Sequence, residues 1–417
     1  MENLSLLFIL LVTVVTVTEL YLNYRQSQAV QKHRATVPEA FSEQISLEAH
    51  QKAADYTNAK LSLANWGLIY GVILLFMWTL GGGLQMLDDT ISAYQLSPLW
   101  QGVVIMTLFL LISSILDMPF TLYSTFHIEQ VYGFNRMTIK TFISDLFKSL
   151  MLFIIIGIPF ISLILWLMNE SGPQWWIYVW AMWMGFSLLM LWAYPAFIAP
   201  IFNKFKPLED QTMVTRIEAL LDRCGFKSKG LFVMDGSKRS AHGNAYFSGI
   251  GSNKRIVFFD TLLEGLSPDE VEAVLAHELG HFSLKHVPKR IGLTAIITLI
   301  ALALLGLLAQ ETWFFNALGV TTPSSYMALL LFMMVFPLLT FFIQPILAMG
   351  SRKHEFEADA FAAKKVDGHY LITALVKLYK ENASTLTPDA LYSSFHDSHP
   401  PAPIRIARLQ QEGLSNE

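Results

Sequence analysis

Seven long apolar segments, separated by polar stretches, set the pattern of this chain: 4–22, 63–87, 99–120, 147–168, 174–198, 287–309 and 326–349. Each can cross a hydrocarbon core of about 30 Å at ~1.5 Å per helical residue. The pattern predicts a mainly α, polytopic membrane protein with seven transmembrane helices. The third segment is the least regular, because Asp117 and Pro119 interrupt its end. The fifth is rich in tryptophan (Trp175, Trp176, Trp180, Trp183, Trp192), in part an interfacial belt. A signal peptide competes for the first segment, but such peptides open on a basic region. Glu2 is the one charge before this apolar run, which favours an uncleaved anchor.

Between the fifth and sixth segments the pattern changes. Asp210–Cys224 reads as an amphipathic helix, and Leu231–Asp235, Asn244–Ile250 and Arg255–Phe259 as short strands. Gly251-Ser252-Asn253 is the turn between the last two. The chain thus divides into 1–200 with five spans and their loops, a small α+β insert at 201–286, two more spans at 287–349, and a tail at 350–417.

Charge orients these pieces. Loop 23–62 carries Arg25, Lys32, Arg34, Lys52 and Lys60, loop 121–146 carries Arg136 and Lys140, and region 199–286 and the tail from Arg352 are also basic. The alternate loops, 88–98, 169–173 and 310–325, contain no Lys or Arg. Basic residues stay on the cytoplasmic side, so the N-terminus is expected outside and the insert and tail in the cytoplasm. Composition agrees with a lipid bilayer as partner: of 417 residues, 53% are hydrophobic and 15% charged, against about 25% charged in soluble domains. A net charge of −4 gives no reason to expect nucleic acid. One cysteine, Cys224, excludes an internal disulfide and reads as structural. No feature calls for an obligatory protein partner.

The insert ends in chemistry. His277-Glu278-Leu279-Gly280-His281 is an H-E-x-x-H motif. On a helix, positions i and i+4 share a face, so His277 and His281 can offer two imidazole nitrogens to one metal, with Glu278 beside its open position as a base. The helix is announced by Ser267-Pro268-Asp269-Glu270, a capping box with proline at the first helical position, and Pro288 marks its expected end. Catalytic zinc usually takes three protein ligands. The extended motif with a third histidine nearby is absent: Leu284 and Val287 stand at its glycine and histidine positions, and His286 has the wrong offset. The candidate third ligand is Glu355 in Ser351-Arg352-Lys353-His354-Glu355-Phe356-Glu357-Ala358-Asp359. Asp359, one helical turn on, can accept the outer N–H of a ligating histidine. Glu357 is a rival ligand, and a solvated charged helix is the plain alternative. Two crossings separate His281 from Glu355, which returns the chain to the face it left and supports Glu355 or a near neighbour. A strand beside the metal helix can hold an extended peptide by strand addition. Of the remaining histidines, His33, His50 and His127 stand isolated in loops, and His242, His286, His354, His369 and His396 have no partner resolvable from sequence.

These residues, taken with several other stretches, resemble a known family. Ile198-Ala199-Pro200-Ile201-Phe202 through Leu208, Tyr132-Gly133-Phe134-Asn135, Asn244-Ala245-Tyr246-Phe247, Lys254–Val257 with Asp260–Leu263, His277–His281, Ser351–Ala363, and His399-Pro400-Pro401 with Arg405 are similar to the type I CAAX prenyl endopeptidases, integral-membrane zinc proteases of the gluzincin group. The resemblance implies seven helices enclosing a water-filled chamber with the site toward the cytoplasm. It implies one zinc per chain held by His277, His281 and Glu355, Glu278 as catalytic base, Asp359 supporting a ligand, and His399 and Arg405 facing the reacting carbonyl. Asn244, Ala245, Tyr246 and Phe247 would hold the substrate. The implied substrate is a peptide or protein, possibly prenylated, cut to release the last three residues of a CAAX C-terminus. A quality-control protease acting on unprenylated or misfolded membrane proteins is the alternative with the same chemistry. A transporter with an incidental metal site predicts a two-fold repeat, and none is visible. The short 88–98 and 310–325 loops, and a tail without a retrieval signal, point to a bacterial inner membrane rather than the endoplasmic reticulum.

Overall fold

The computed structural model describes residues 2–248 and 255–414, the side chains of residues 2, 40, 248 and 412–414 excepted. The expected turn Gly251-Ser252-Asn253 and the end of the expected strand Asn244–Ile250 lie outside the described residues. Among the described residues seven helices are long and apolar enough to cross a membrane: Asn3–His33, Leu47–Trp78, Pro98–Val131, Ile139–Glu170, Gly172–Phe202, His286–Leu308 and Ser325–Ala363. Most run well past their apolar stretches into polar sequence. Only 6–22% of the most apolar window of the first six is buried, and 39% of the seventh. The spans therefore pack on one another over a limited part of their surface, in a core that includes Val12, Trp78, Ile105, Leu165 and Leu331.

The second span departs from its expected end at residue 87. Its helix stops at Trp78 and a separate helix, Gly83–Ser92, follows. Glycine is the cause. Gly82 adopts φ +77°, and a Cβ at Gly81 or Gly83 would stand 2.9 or 2.8 Å from the Met77 carbonyl oxygen. The short helix delivers Asp88, which is 2% exposed, to a polar knot. Asp88 accepts from Tyr326 Oη at 2.7 Å and from Gln101 Nε2 at 2.9 Å, joining the third and seventh spans. Away from bulk water, such groups must find partners within the protein.

The insert forms a four-stranded sheet. Its strands are β1 (Phe205–Pro207), β2 (Leu231–Met234), β3 (Ala245–Ser248) and β4 (Arg255–Phe259), in the order β1-β2-β4-β3. β2 and β4 run parallel, and the two outer pairs are antiparallel. β1 is too short to show alternation in sequence. The expected amphipathic helix is Gln211–Arg223, capped by the Asp210 carboxylate on the amides of Thr212 and Met213. Its buried face (Ile217, Leu220) meets Ile256 and Phe258 of the sheet and Leu275 and Leu279 of the following helix in one core.

That following helix is Pro268–Ser283, and the capping box is present on both sides: Ser267 Oγ accepts from the Glu270 amide, and Glu270 Oε2 accepts from the Ser267 amide at 2.7 Å. Pro288 does not end it. The helix stops five residues earlier at Ser283, and Lys285, at φ +57°, turns the chain into the sixth span at His286. Pro288 then lies in the first turn of that next helix, where its missing N–H costs nothing.

Candidate metal centre

Two helices carry the centre. One is Pro268–Ser283 and the other is Gln344–Ala363, the end of the seventh span. They cross at Gly280 and Ala358. A Cβ placed on Gly280 would lie 3.0 Å from Ala358 Cα and 3.1 Å from its carbonyl oxygen. Backbone cannot move aside as a side chain can, so the pair of helices depends on the absent methyl. Gly280→Ala is expected to part the helices by a few tenths of an ångström and to weaken metal retention, measured as a faster loss of metal to a chelator.

The crossing brings His277, His281 and Glu355 together. His277 Nε2 and His281 Nε2 are 3.2 Å apart, and Glu355 stands 3.5 Å from the first through Oε2 and 3.3 Å from the second through Oε1. Donors about 2.0–2.1 Å from one tetrahedral ion stand about 3.3 Å from each other. Glu355 Oε2 is buried without a hydrogen-bond partner, which a cation would supply. Burial opposes a charge on His277, but the nearby carboxylates of Asp359 and then Glu355 prevail and raise its pKa to about 9 without a metal. The pocket favours a positive charge, and the donor set fits a divalent metal.

The supporting residues are ordered as a chain. His277 Nδ1 is 2.8 Å from Asp359 Oδ1, so its N–H points to the carboxylate and its Nε2 lone pair toward Glu355 and His281. Arg405 donates to both oxygens of Asp359, from Nε at 2.8 Å and from Nη2 at 2.6 Å. Arg405 is 6% exposed and Asp359 2%. The guanidinium fork is thus spent largely on Asp359, with Nη1 3.7 Å from Glu355 Oε2. The His399 side chain, by contrast, is 66% exposed, with Nε2 3.5 Å from Glu355 Oε1.

A cavity of about 400 Å³ opens on this group. His277, Glu278, Glu355, His399 and Arg405 line it, with Asn244 and Ala245 at the edge of β3. Among the described residues β3 pairs with β4 on one side only. Tyr246 is half-buried and packs edge-on to Phe259, while Phe247 packs on Phe282 next to the motif; neither is among the cavity-lining residues. The sequence reading missed Leu371, Leu375, Tyr379 and Asn382, which form another wall. The near-helical spacing of Leu371, Leu375 and Tyr379 along Gly368–Glu381, continued by Asn382 just past its end, was the available signal.

Several histidines read as partnerless have partners far along the chain. His242 Nδ1 meets Asn382 Oδ1 at 2.9 Å, and His396 Nε2 meets Glu19 Oε2 at 3.2 Å. Glu357, the rival ligand, is turned from the three donors and meets His286 Nε2 at 2.9 Å.

Comparison with known proteins agrees with this geometry. Residues 207–413 match the model of peptidase family M48, and residues 26–204 match a model described as CAAX prenyl protease N-terminal, five membrane helices. The chain is 36% identical over 413 residues to CAAX prenyl protease 1 homolog of Arabidopsis thaliana, covering 96% of each. The chain belongs to peptidase family M48. Another M48 relative, CAAX prenyl protease 1 of Saccharomyces cerevisiae, is 34% identical, with 94% of this chain and 92% of the relative covered. The crystal structure of S. mikatae Ste24p superposes with a TM-score of 0.92 at 32% identity, over 97% of this chain and 99% of that one. This M48 chain is therefore a multi-pass membrane metallopeptidase with peptide substrates, and its seven-span fold is that of the Ste24p structure.

Proposed function

We propose that the chain is a zinc-dependent endopeptidase that cuts CAAX-type prenylated C-termini or related membrane-associated peptides. The observation that carries this is the convergence of His277, His281 and Glu355 from two helices, with two membrane spans between them, on a cavity walled by Glu278. The names of the relatives from Arabidopsis thaliana and Saccharomyces cerevisiae supply the substrate class.

Bound by those three residues, one zinc per chain supplies the Lewis acid that polarises a carbonyl and acidifies a water. Glu278 takes the water's proton on its carboxylate and gives it to the nitrogen of the leaving amine. His399, exposed to the cavity, donates to the oxyanion. Arg405 works chiefly through Asp359, holding the carboxylate that orients His277. The open edge of β3 from Asn244 to Phe247 takes the peptide as an added strand, and its N–H and C=O groups set the register. The distribution of Lys and Arg supports an N-terminus outside and a cavity facing the cytoplasm, and the short 88–98 and 310–325 loops suit a bacterial inner membrane. The test is mass spectrometry of products from the purified protein given a farnesylated CAAX peptide and its unprenylated twin. Preferential loss of the last three residues from the farnesylated peptide is expected. Equal cutting of both, or cutting of misfolded membrane proteins alone, would replace the substrate assignment.

A further inference from the structure

The second metal-facing histidine lacks the carboxylate that His277 has, and a different group takes that place. His281 Nδ1 lies 3.0 Å from Nδ1 of His286, and His286 Nε2 lies 2.9 Å from Glu357 Oε2. His286 is 4% exposed, and its ring is covered by His354, stacked at 4.0 Å and 12°.

We propose that His286 and Glu357 are positioning residues that fix the tautomer and the ring angle of His281. The inference rests on the reading of His281 as a metal ligand. A carboxylate only accepts, so the proton of neutral His286 sits on Nε2, facing Glu357. Its Nδ1 then carries a lone pair and accepts the Nδ1–H of His281. With that proton committed, His281 has its lone pair on Nε2, the atom that stands among His277 and Glu355. Every polar hydrogen in the row has one acceptor, and no side chain needs to move. Glu357 thereby acts on the metal from two hydrogen bonds away, and His286 does what the offset from the motif seemed to forbid.

The same three side chains, His286, His354 and Glu357, also lie close enough to hold a cation of their own. Their geometry disfavours it. Near-parallel stacked rings send their in-plane lone pairs side by side rather than to one point. A cation on His286 Nε2 would also move its proton to Nδ1, where it would meet the Nδ1–H of a metal-bound His281 at 3.0 Å.

The test uses the full-length zinc-loaded protein and follows zinc loss to a competing chelator. His286→Phe keeps the ring volume and removes the acceptor. Glu357→Leu does the same from a partly exposed position, should the first variant not fold. Removing such a partner typically weakens metal binding by 10–100-fold, and each variant is expected to release zinc faster by about that factor. Glu357→Gln can still offer an amide oxygen to His286 and should hold zinc nearly as the parent does. Unchanged release in both His286→Phe and Glu357→Leu, while His281→Ala loses zinc, would overturn the proposal. So would a second zinc per chain that disappears in His354→Ala. Zinc retained by His281→Ala would instead refute the ligand assignment on which the proposal stands.

Discussion

Glu278→Gln is expected to leave about one zinc per chain in place and to lower the rate of peptide cleavage by about 10²–10⁴-fold. Glu278 is on the cavity wall and is absent from the three donors that converge on the metal position. The amide is almost the same size as the carboxylate and cannot accept the water's proton. Binding and chemistry should therefore separate: metal analysis unchanged, substrate still bound, cleavage gone. Loss of zinc from this variant, or cleavage within a few-fold of the parent, would show that Glu278 has another role.

Asp359→Ala should damage both stability and metal retention. The carboxylate is 2% exposed and accepts from Arg405 twice and from His277 once. Its removal strands the Arg405 guanidinium, itself 6% exposed, as a buried charge without its main partner. Breaking a buried pair in this way costs about 3–5 kcal/mol. His277 also loses the acceptor that fixes its tautomer, which typically weakens metal binding by 10–100-fold. The variant should unfold at a lower temperature with or without zinc, and zinc should rescue less than it does in the parent. Replacing Arg405 together with Asp359 by apolar residues removes the stranded charge. It should recover much of the stability while leaving metal binding weak. Equal losses in the single and double variants would count against this division of labour.

Much of this was legible in the residues. A capping box is a local device, and Ser267 and Glu270 form it as their spacing predicts. Span existence was legible too, because twenty apolar residues in lipid have few alternatives to a helix. Span ends were less so. Hydropathy cannot see that Gly81 to Gly83 turn the chain after Trp78, since glycine there acts through φ and through contact with the Met77 carbonyl rather than through polarity. Pro288 misled for a related reason: proline marks either side of a helix boundary, and here it marks the start of the next helix. Glu355 and Glu357 could not be separated by spacing alone, because each is one residue of a charged run. The register of a helix crossing places Glu355 beside His277 and His281 and turns Glu357 to His286, and that register depends on the contact of Gly280 with Ala358. His286 went unread because its partners are a neighbour past a turn and a carboxylate 71 positions away.

The rod Ser325–Ala363 ends in Glu355 and Asp359, and a second rod, His286–Leu308, stands between those residues and His277 in the chain. No contiguous water-soluble fragment can hold all three donors without both rods. Excision of the insert must here yield a protein with both imidazoles and Glu278 but without the Glu355 carboxylate. Whatever anchors the two rods in the bilayer also sets the height at which Glu355 is delivered.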